Sequence, residues 1–146
     1  MLNDSKTGLK TEENLDVFGA QMIVRCDAQE LGMMVGEHIV PDGYFVPPHS
    51  HANEDEFFYI IDGEITLISP SGETTAITGD TVKLPRGQVH GWKNASGRAL
   101  RFLVIVLPGV QAVEMFRHFD RAGKAARGAL APEQIIGICA QYGVSM

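Results

Sequence analysis

The sequence predicts an all-β domain, a sandwich or barrel of antiparallel strands, followed by short C-terminal helices. Between about residue 21 and residue 107, short apolar segments rich in β-branched and aromatic residues recur at close intervals. Turn-forming dipeptides and tripeptides separate these segments, and no helical periodicity interrupts them. After residue 107 the apolar residues change to helical spacing.

The strand segments are short and each is bounded by a turn signal. Asp62-Gly63 stands between two apolar runs and supplies the positive φ angles of a tight hairpin. The predicted strands include 33–40, 57–61, 64–69, 81–84 and 100–107, and further turns fall at Pro41-Asp42-Gly43, Pro70-Ser71-Gly72, Gly79-Asp80 and Ser96-Gly97.

The two ends of the chain differ from this central part. Residues 1–20 are predicted to form a polar N-terminal arm, residues 21–107 the barrel, and residues 108–146 a helical extension packed on the outside of the barrel. In the extension we expect one helix over 110–119, an exposed connection over 120–131, and a second helix that starts at Pro132 and stops near Gly143. The apolar faces of the two helices are Val113, Phe116 and Phe119, and Ile135, Ile136, Cys139 and Tyr142.

Length and charge exclude several classes of protein. The 146 residues suit one domain, and the net charge of −6 with scattered Lys and Arg argues against nucleic acid as a partner. We find no apolar run of the roughly 20 residues that span a bilayer, and no apolar core of a signal peptide in the first residues. The expectation is therefore a cytoplasmic protein that uses no membrane. Cys26 and Cys139 could pair, but a reducing compartment favours two free thiols.

Three histidines and one carboxylate are spaced as metal ligands. His49 and His51 form a His-x-His pair, whose imidazoles point to the same side of a strand. Glu56 can reach the same point from the next strand, and His90 lies in a third β segment. Such a set suits one divalent transition metal ion, Fe, Mn, Ni, Co, Cu or Zn. Taken alone, however, a His-x-His pair also fits two surface histidines on a solvated strand.

The surrounding residues carry a resemblance to a known family. Gly43, His49, His51, Glu56 and Gly63 have the spacing of the first cupin motif, and Gly79, Pro85, Gly87, His90 and Asn94 that of the second. The chain thus resembles cupins over roughly residues 33–107, and more loosely the single-domain bacterial cupins described as quercetin dioxygenase-like. The resemblance implies a jelly-roll, double-stranded β-helix barrel with one metal ion near its mouth. It assigns the ligands to His49, His51, Glu56 and His90, and turn or packing roles to Gly43, Gly63, Gly79, Gly87 and Asn94.

Other residues near the predicted site have mainly structural interpretations. Strand alternation places Phe58 and Ile60 on the side of Glu56, and Trp92 on the side of His90, where they fill the barrel or touch the ligand. The remaining polar residues are interpreted as a surface or core histidine (His38, His118), as solvated loop charges (Glu54, Asp55) and as an exposed turn residue (Arg86).

Four protein ligands leave coordination positions open, which is typical of a catalytic site. The first hypothesis is a dioxygenase that acts on a small apolar or aromatic, enol- or diketone-like substrate, with Glu56 as ligand and catalytic base. The alternatives are a metal-dependent isomerase, epimerase or decarboxylase, and a non-enzymatic module that binds a small molecule. We also expect a homodimer, formed through Tyr59 and Ile61 on the outer face and through an edge strand at 22–26.

Overall fold

Two antiparallel sheets and a C-terminal helical extension make up the fold. The computed structural model describes residues 12–127 and 129–146. The strands are β1 Glu13–Val17, β2 Ala20–Cys26, β3 Met34–Val40, β4 Phe45–His51, β5 Asp55–Asp62, β6 Glu64–Ser69, β7 Gly72–Ile77, β8 Thr81–Leu84, β9 His90–Lys93, β10 Leu100–Leu107 and β11 Val144–Ser145. The helices are α1 Ala28–Leu31, α2 Val110–Ala126 and α3 Pro132–Ala140.

Strands that are distant in sequence lie side by side in each sheet. The larger sheet has the order β1-β2-β3-β10-β5-β8, and the smaller one the order β11-β4-β9-β6-β7. The inner faces meet in a core whose largest fully buried side chains include Phe58, Phe102 and Ile60. The predicted all-β fold with short C-terminal helices is confirmed.

The alternation of β5 explains how one strand serves both the core and the site. Glu56, Phe58 and Ile60 are buried, whereas Tyr59 on the opposite face is 40% exposed. A strand has a period of two, so a single register places the carboxylate and the two apolar side chains on the inner face.

Two positions of the motifs have clear packing roles. Gly63, between β5 and β6, has a φ of 111°, and a Cβ there would lie 3.0 Å from the backbone oxygen of Ala99. Glycine is therefore the residue that this close approach permits. Asn94 is buried, and its Nδ2 donates hydrogen bonds to the backbone oxygens of Val40 and Arg98. It ties the ends of two strands together.

The N-terminal segment differs from the predicted polar arm. Residues 1–11 lie outside the described residues, but Glu13–Val17 pairs with β2 along its whole length. Leu15 and Val17 are buried and alternate with exposed residues. Only two apolar residues show this alternation, and among polar neighbours they are too few to predict a strand from the sequence. Because β1 covers β2, the segment 22–26 is an inner strand, and the expectation that it forms a dimer edge is wrong.

The first C-terminal helix is longer than predicted. The sequence suggested an exposed connection from residue 120, but α2 continues to Ala126. Phe119 and Asp120 are both buried, and Asp120 Oδ1 accepts a hydrogen bond from the backbone N–H of Asp16. Alanine, lysine and arginine favour helices, so the segment continues the helix despite Gly123.

Cys26 and Cys139, both among the described residues, are not joined to each other by a disulfide, in agreement with the interpretation that the sequence favoured. The short helix α1 was not anticipated; it is four residues long and begins with a capping box of Asp27 and Glu30. Of the helices in the described residues, none combines the length and the apolar character needed to cross a membrane.

Candidate metal centre

Four side chains from three strands converge on one point. His49 and His51 end β4, Glu56 lies in β5, and His90 begins β9. One ligand atom from each of the four lies within 4.8 Å of the others. These residues, called the ligand cluster below, are the four that the sequence singled out.

Strand pairing brings the histidines together. His49 and His90 are register partners in the β4–β9 pair, and their ring centroids are 4.6 Å apart. A Cβ on Gly91 would lie 2.8 Å from the backbone oxygen of Val46. The absence of a side chain at Gly91 therefore lets β9 approach β4 closely enough for the rings to meet.

Backbone carbonyls orient two of the rings. Nδ1 of His49 lies 2.8 Å from the oxygen of Pro47, and Nδ1 of His90 lies 3.3 Å from the oxygen of Gln88. A carbonyl oxygen only accepts hydrogen bonds, so Nδ1 of each ring carries the proton. In the neutral ring, the lone pair of Nε2 is then available to a metal ion.

Electrostatics favours an ionised carboxylate at Glu56 and a neutral ring at His49. Burial alone would raise the pKa of Glu56, but the hydrogen bond to His90 and the neighbouring imidazoles lower it overall. Burial lowers the pKa of His49 to about 4, against the opposing hydrogen bond to Pro47. At neutral pH the carboxylate is therefore ionised and the His49 ring is neutral.

The acceptor atoms of the cluster fit a divalent metal ion. Oε1 of Glu56 lies 3.1 Å from Nε2 of His90 and 3.4 Å from Nε2 of His51. Where the Nε2 atoms carry no proton, they and the ionised carboxylate oxygens are all acceptors, and a cation between them satisfies these contacts. One shared proton satisfies only one of these two contacts, whereas a divalent cation can bind all four ligand atoms of the cluster. Three imidazoles with one carboxylate form a donor set that transition metals accept.

A cavity of about 400 Å³ opens beside the cluster. Its lining includes His49, His51 and Glu56 together with Phe58 and Trp92. Ile60, the third predicted pocket residue, has no exposed surface and belongs to the core instead. The lining contributed by the described residues contains no lysine or arginine.

The C-terminal extension lines the cavity as well as covering the barrel. Met115 and Phe119 of α2 and Ile135 and Cys139 of α3 all contribute to the lining. The sequence placed these helices on the outside of the barrel. Their apolar faces were visible in the sequence, but the surface on which they pack depends on long-range contacts.

The structure corrects the interpretation of Glu54. It is 3% exposed rather than solvated, and its two carboxylate oxygens accept hydrogen bonds from the backbone N–H groups of Gln111 and Ala112. The N-cap residue of α2 is Gly109, which has no side chain to cap the helix. Glu54 supplies this cap from the loop beside the ligand cluster. The available signal in the sequence was a helix start without a capping side chain.

The other polar residues keep mainly structural roles. Asp55 accepts hydrogen bonds from the exposed guanidinium of Arg86, and Nδ1 of His118 lies 3.0 Å from the hydroxyl of Tyr142. His38 is buried, as one of its two interpretations had it, but it also lines the cavity. Sequence spacing could not reveal this, because His38 has no partner at metal-ligand distance along the chain.

Comparison with known proteins agrees with this architecture. The family model described as "Cupin domain" matches residues 36–106. No curated protein matches the sequence significantly. Among solved structures, a sugar phosphate isomerase of the cupin superfamily from Silicibacter pomeroyi is similar, with 25% identity and a TM-score of 0.57. The similarity covers 63% of this chain and 61% of the isomerase, so the match spans about three-fifths of that protein.

Two further structures share the fold at lower identity. A predicted oxalate decarboxylase from Thermotoga maritima is 22% identical, with a TM-score of 0.57 over 66% of this chain and 91% of its own. The polyketide cyclase RemF from Streptomyces resistomycificus is 23% identical, with a TM-score of 0.56 over 70% of this chain and 76% of its own. With both motifs in place around the ligand cluster, residues 36–106 form a cupin domain with the double-stranded β-helix fold.

Proposed function

We propose that this protein is a metal-dependent dioxygenase that acts on a small apolar or aromatic substrate carrying an enol- or diketone-like group. The observation that carries the proposal is the position of the ligand cluster at the wall of an apolar, aromatic-lined cavity. Binding sites for small organic molecules commonly combine such a lining with a few convergent polar groups.

His49, His51, Glu56 and His90 would hold one divalent ion, Fe, Mn, Ni, Co, Cu or Zn. A bound ion of this kind supplies Lewis acidity to an oxygen of the substrate and, if it is redox-active, a path for electrons to dioxygen. The orientation of His49 and His90 by backbone carbonyls prepares their Nε2 atoms for this role.

Glu56 is the catalytic residue in this proposal. Its lowered pKa keeps the carboxylate ionised, so it can take the proton of a substrate hydroxyl that lies next to a carbonyl group. The proton moves to a carboxylate oxygen, and the substrate becomes an electron-rich enolate that reacts with dioxygen. Phe58, the next inward residue on β5, borders the cavity and excludes water beside this carboxylate.

The cavity lining favours an aromatic or apolar substrate over a phosphorylated one. A phosphate group calls for convergent Arg or Lys side chains. The described residues contribute none to this lining, whereas Tyr44, Phe58, Trp92 and Phe102 all border the cavity. The substrate that fits best is therefore a planar, uncharged molecule with a hydroxyl beside a carbonyl.

A second candidate function is a non-oxidative one, namely isomerisation, epimerisation or decarboxylation. The similarity to the sugar phosphate isomerase favours it. In an isomerisation Glu56 would move a proton between two atoms of the substrate, and in an epimerisation it would remove a proton from a carbon to which a proton returns on the other face. In a decarboxylation CO2 would leave and a proton would take its place on the carbon; none of these reactions consumes dioxygen.

One preparation can separate these functions. We would load the protein with each candidate metal, measure metal content by elemental analysis, and screen diketones and flavonols for oxygen uptake. The dioxygenase proposal expects oxygen uptake in proportion to bound metal, and none in His90→Ala. His118→Ala is the matched control, because His118 lies outside the cavity lining. Product formation without oxygen uptake would support the isomerase class. Binding of the probes without any product would instead indicate a binding module.

The homodimer is part of the same proposal. Tyr59 is 40% exposed on the outward face of β5, and a contact there would bury it. Light scattering at micromolar concentration should give twice the monomer mass. Tyr59→Lys should lower the measured mass towards that of the monomer. A monomeric wild-type protein would contradict the assembly without touching the metal centre.

A further inference from the structure

His38 is a cavity histidine that does not belong to the ligand cluster. It lies on β3, is 3% exposed, and lines the same cavity as His49 and Glu56. β3 pairs with β2 and β10, so His38 approaches the cavity from the six-stranded sheet. The position is therefore separate from the strands β4 and β9 that carry the three cluster histidines.

One nitrogen of His38 is used within the chain. Nδ1 lies 2.9 Å from the backbone oxygen of Gln21 and donates its proton there. Burial lowers the pKa of His38 to about 4, although the bond to Gln21 opposes the shift, so the ring is neutral at physiological pH. In a neutral ring with Nδ1–H, Nε2 is an acceptor. In residues 12–127 and 129–146 we find no donor for it.

Aromatic rings surround His38. The ring centroids of Tyr44, Trp92 and Phe102 lie 6.1, 5.8 and 5.5 Å from that of His38. The hydroxyl of Tyr44 donates to the backbone oxygen of Val17 at 2.6 Å, so its proton is not available to Nε2. His38 thus borders the cavity among aromatic rings, and its Nε2 is an acceptor.

We infer that His38 is a specificity-determining residue, whose Nε2 accepts a hydrogen bond from a phenolic hydroxyl at the end of the substrate that does not bind the metal. This inference rests on the proposed function, because the other end of the substrate occupies the metal centre. Trp92 and Phe102, which also line the cavity, pack against the ring that carries this hydroxyl.

Discrimination follows from the burial of the acceptor. An apolar ligand that covers Nε2 without donating to it leaves a buried polar atom unpaired, whereas a hydroxylated ligand pairs it. The site should therefore bind the analogue that lacks only this hydroxyl less tightly. The substrate class becomes narrower: a planar aromatic compound with a hydroxy-carbonyl group at one end and a phenol at the other.

Two matched probes test the inference, 3-hydroxyflavone and 3,4′-dihydroxyflavone, which differ only in the remote hydroxyl. Trp92 is the single tryptophan of the chain and lines the cavity, so quenching of its fluorescence reports binding without turnover. We expect the metal-loaded wild-type protein to bind the dihydroxy probe ~3- to 10-fold more tightly, as one net hydrogen bond provides.

The variant His38→Asn keeps an N–H near the oxygen of Gln21 and removes the acceptor at the position of Nε2. Its preference between the two probes should fall to about one. His118→Asn carries the same substitution outside the cavity lining and should keep the wild-type ratio. The wild-type ratio needs no variant, so it tests the inference even if His38→Asn does not fold.

The outcomes separate this inference from the proposed function. A wild-type ratio near one, or an unchanged ratio in His38→Asn, overturns the role of His38 and leaves the metal centre untouched. If a chelator changes the affinity for neither probe and the preference for the dihydroxy probe remains, the assumption that the other end of the substrate binds the metal is wrong. The role of His38 as a hydrogen-bond acceptor then stands. Lack of quenching by both probes overturns the inference, because the cavity then does not take this class of compound.

Discussion

Two groups of charged and polar side chains in this molecule are satisfied in opposite ways. Arg117 on α2 donates hydrogen bonds to the carboxylates of Glu13, Asp27 and Glu114, so each charge meets its opposite within the chain. The ligand cluster instead brings four potential metal-ligand atoms within 4.8 Å of one another. The first arrangement is closed and ties α2 to β1. The second is compatible with a divalent cation bound from outside, which would distinguish a binding site from a structural network.

The largest effect is expected at Glu56. Glu56→Gln keeps the shape and one oxygen donor but removes both the charge and the basicity. If Glu56 takes the substrate proton, oxygen uptake should fall by ~10²- to 10⁴-fold, while the three histidines retain much of the metal. Elemental analysis and oxygen consumption on one preparation measure both quantities. Unchanged turnover at normal metal content would exclude Glu56 as the base and leave it at most a ligand.

The next effect concerns the histidines of the cluster. His90→Ala removes one donor and should lower the affinity for Zn(II) by ~10- to 100-fold in calorimetric titration. The rise in melting temperature at a fixed, saturating Zn(II) concentration should shrink with it, because stabilisation depends on the ratio of ligand concentration to Kd. His118→Ala should change neither quantity. A melting temperature of the wild type that ignores both Zn(II) and chelator would rule out the metal centre.

The third prediction concerns the network of Arg117 with its three carboxylates, which should affect the stability of the fold and not the affinity for a metal ion. The side chain of Arg117 is only 20% exposed, and Arg117→Ala removes the guanidinium that Glu13, Asp27 and Glu114 share. We expect a loss of about 2 kcal/mol in the free energy of unfolding, limited because the carboxylates themselves are partly solvated. Arg121→Ala, on an exposed position of the same helix, is the control. Urea unfolding provides the measurement, and a changed Zn(II) affinity in Arg117→Ala would show that the two groups are coupled.

The comparison also explains which features the sequence could predict. Part of the ligand cluster depends on short-range geometry, because His49 and His51 share a strand face and Glu56 follows after one bend. His90 comes from the distant strand β9, and the resemblance to the second cupin motif is what assigned it to the cluster. Strand alternation and two spaced motifs are enough to place such residues together. The same short-range rule places Phe58 on the cavity side of β5.

Features that depend on distant partners were not predictable in this way. Glu54 meets the start of α2 at Gln111 and Ala112, and nothing near Glu54 in the sequence signals that contact. The strand β1 has too few apolar residues to stand out, since its stability comes from pairing with β2 and from Arg117. Tertiary packing decides such elements more than local propensity does.

His38 stands between the two arrangements, with one nitrogen satisfied and one available, and it supplies the smallest predicted effect. Its pKa in the folded protein is lowered to about 4 from 6.5. The unfolded chain therefore binds more protons between these values, and the stabilising contribution, complete above pH 6.5, is lost as pH falls towards 4. Between pH 7 and pH 5 this costs about 1–2 kcal/mol of the free energy of unfolding. His38→Asn removes the titrating group, so the free energy of unfolding of this variant should fall by about 1–2 kcal/mol less than that of the wild type between pH 7 and pH 5.

Burial also lowers the pKa of His49 to about 4, and only the difference between the wild type and His38→Asn isolates the contribution of His38. Denaturant titrations of both proteins at pH 7 and pH 5, in the presence of chelator, give this difference. Parallel declines would mean that His38 is not held neutral in the fold, and Nε2 would then not be the acceptor that the cavity offers to a ligand.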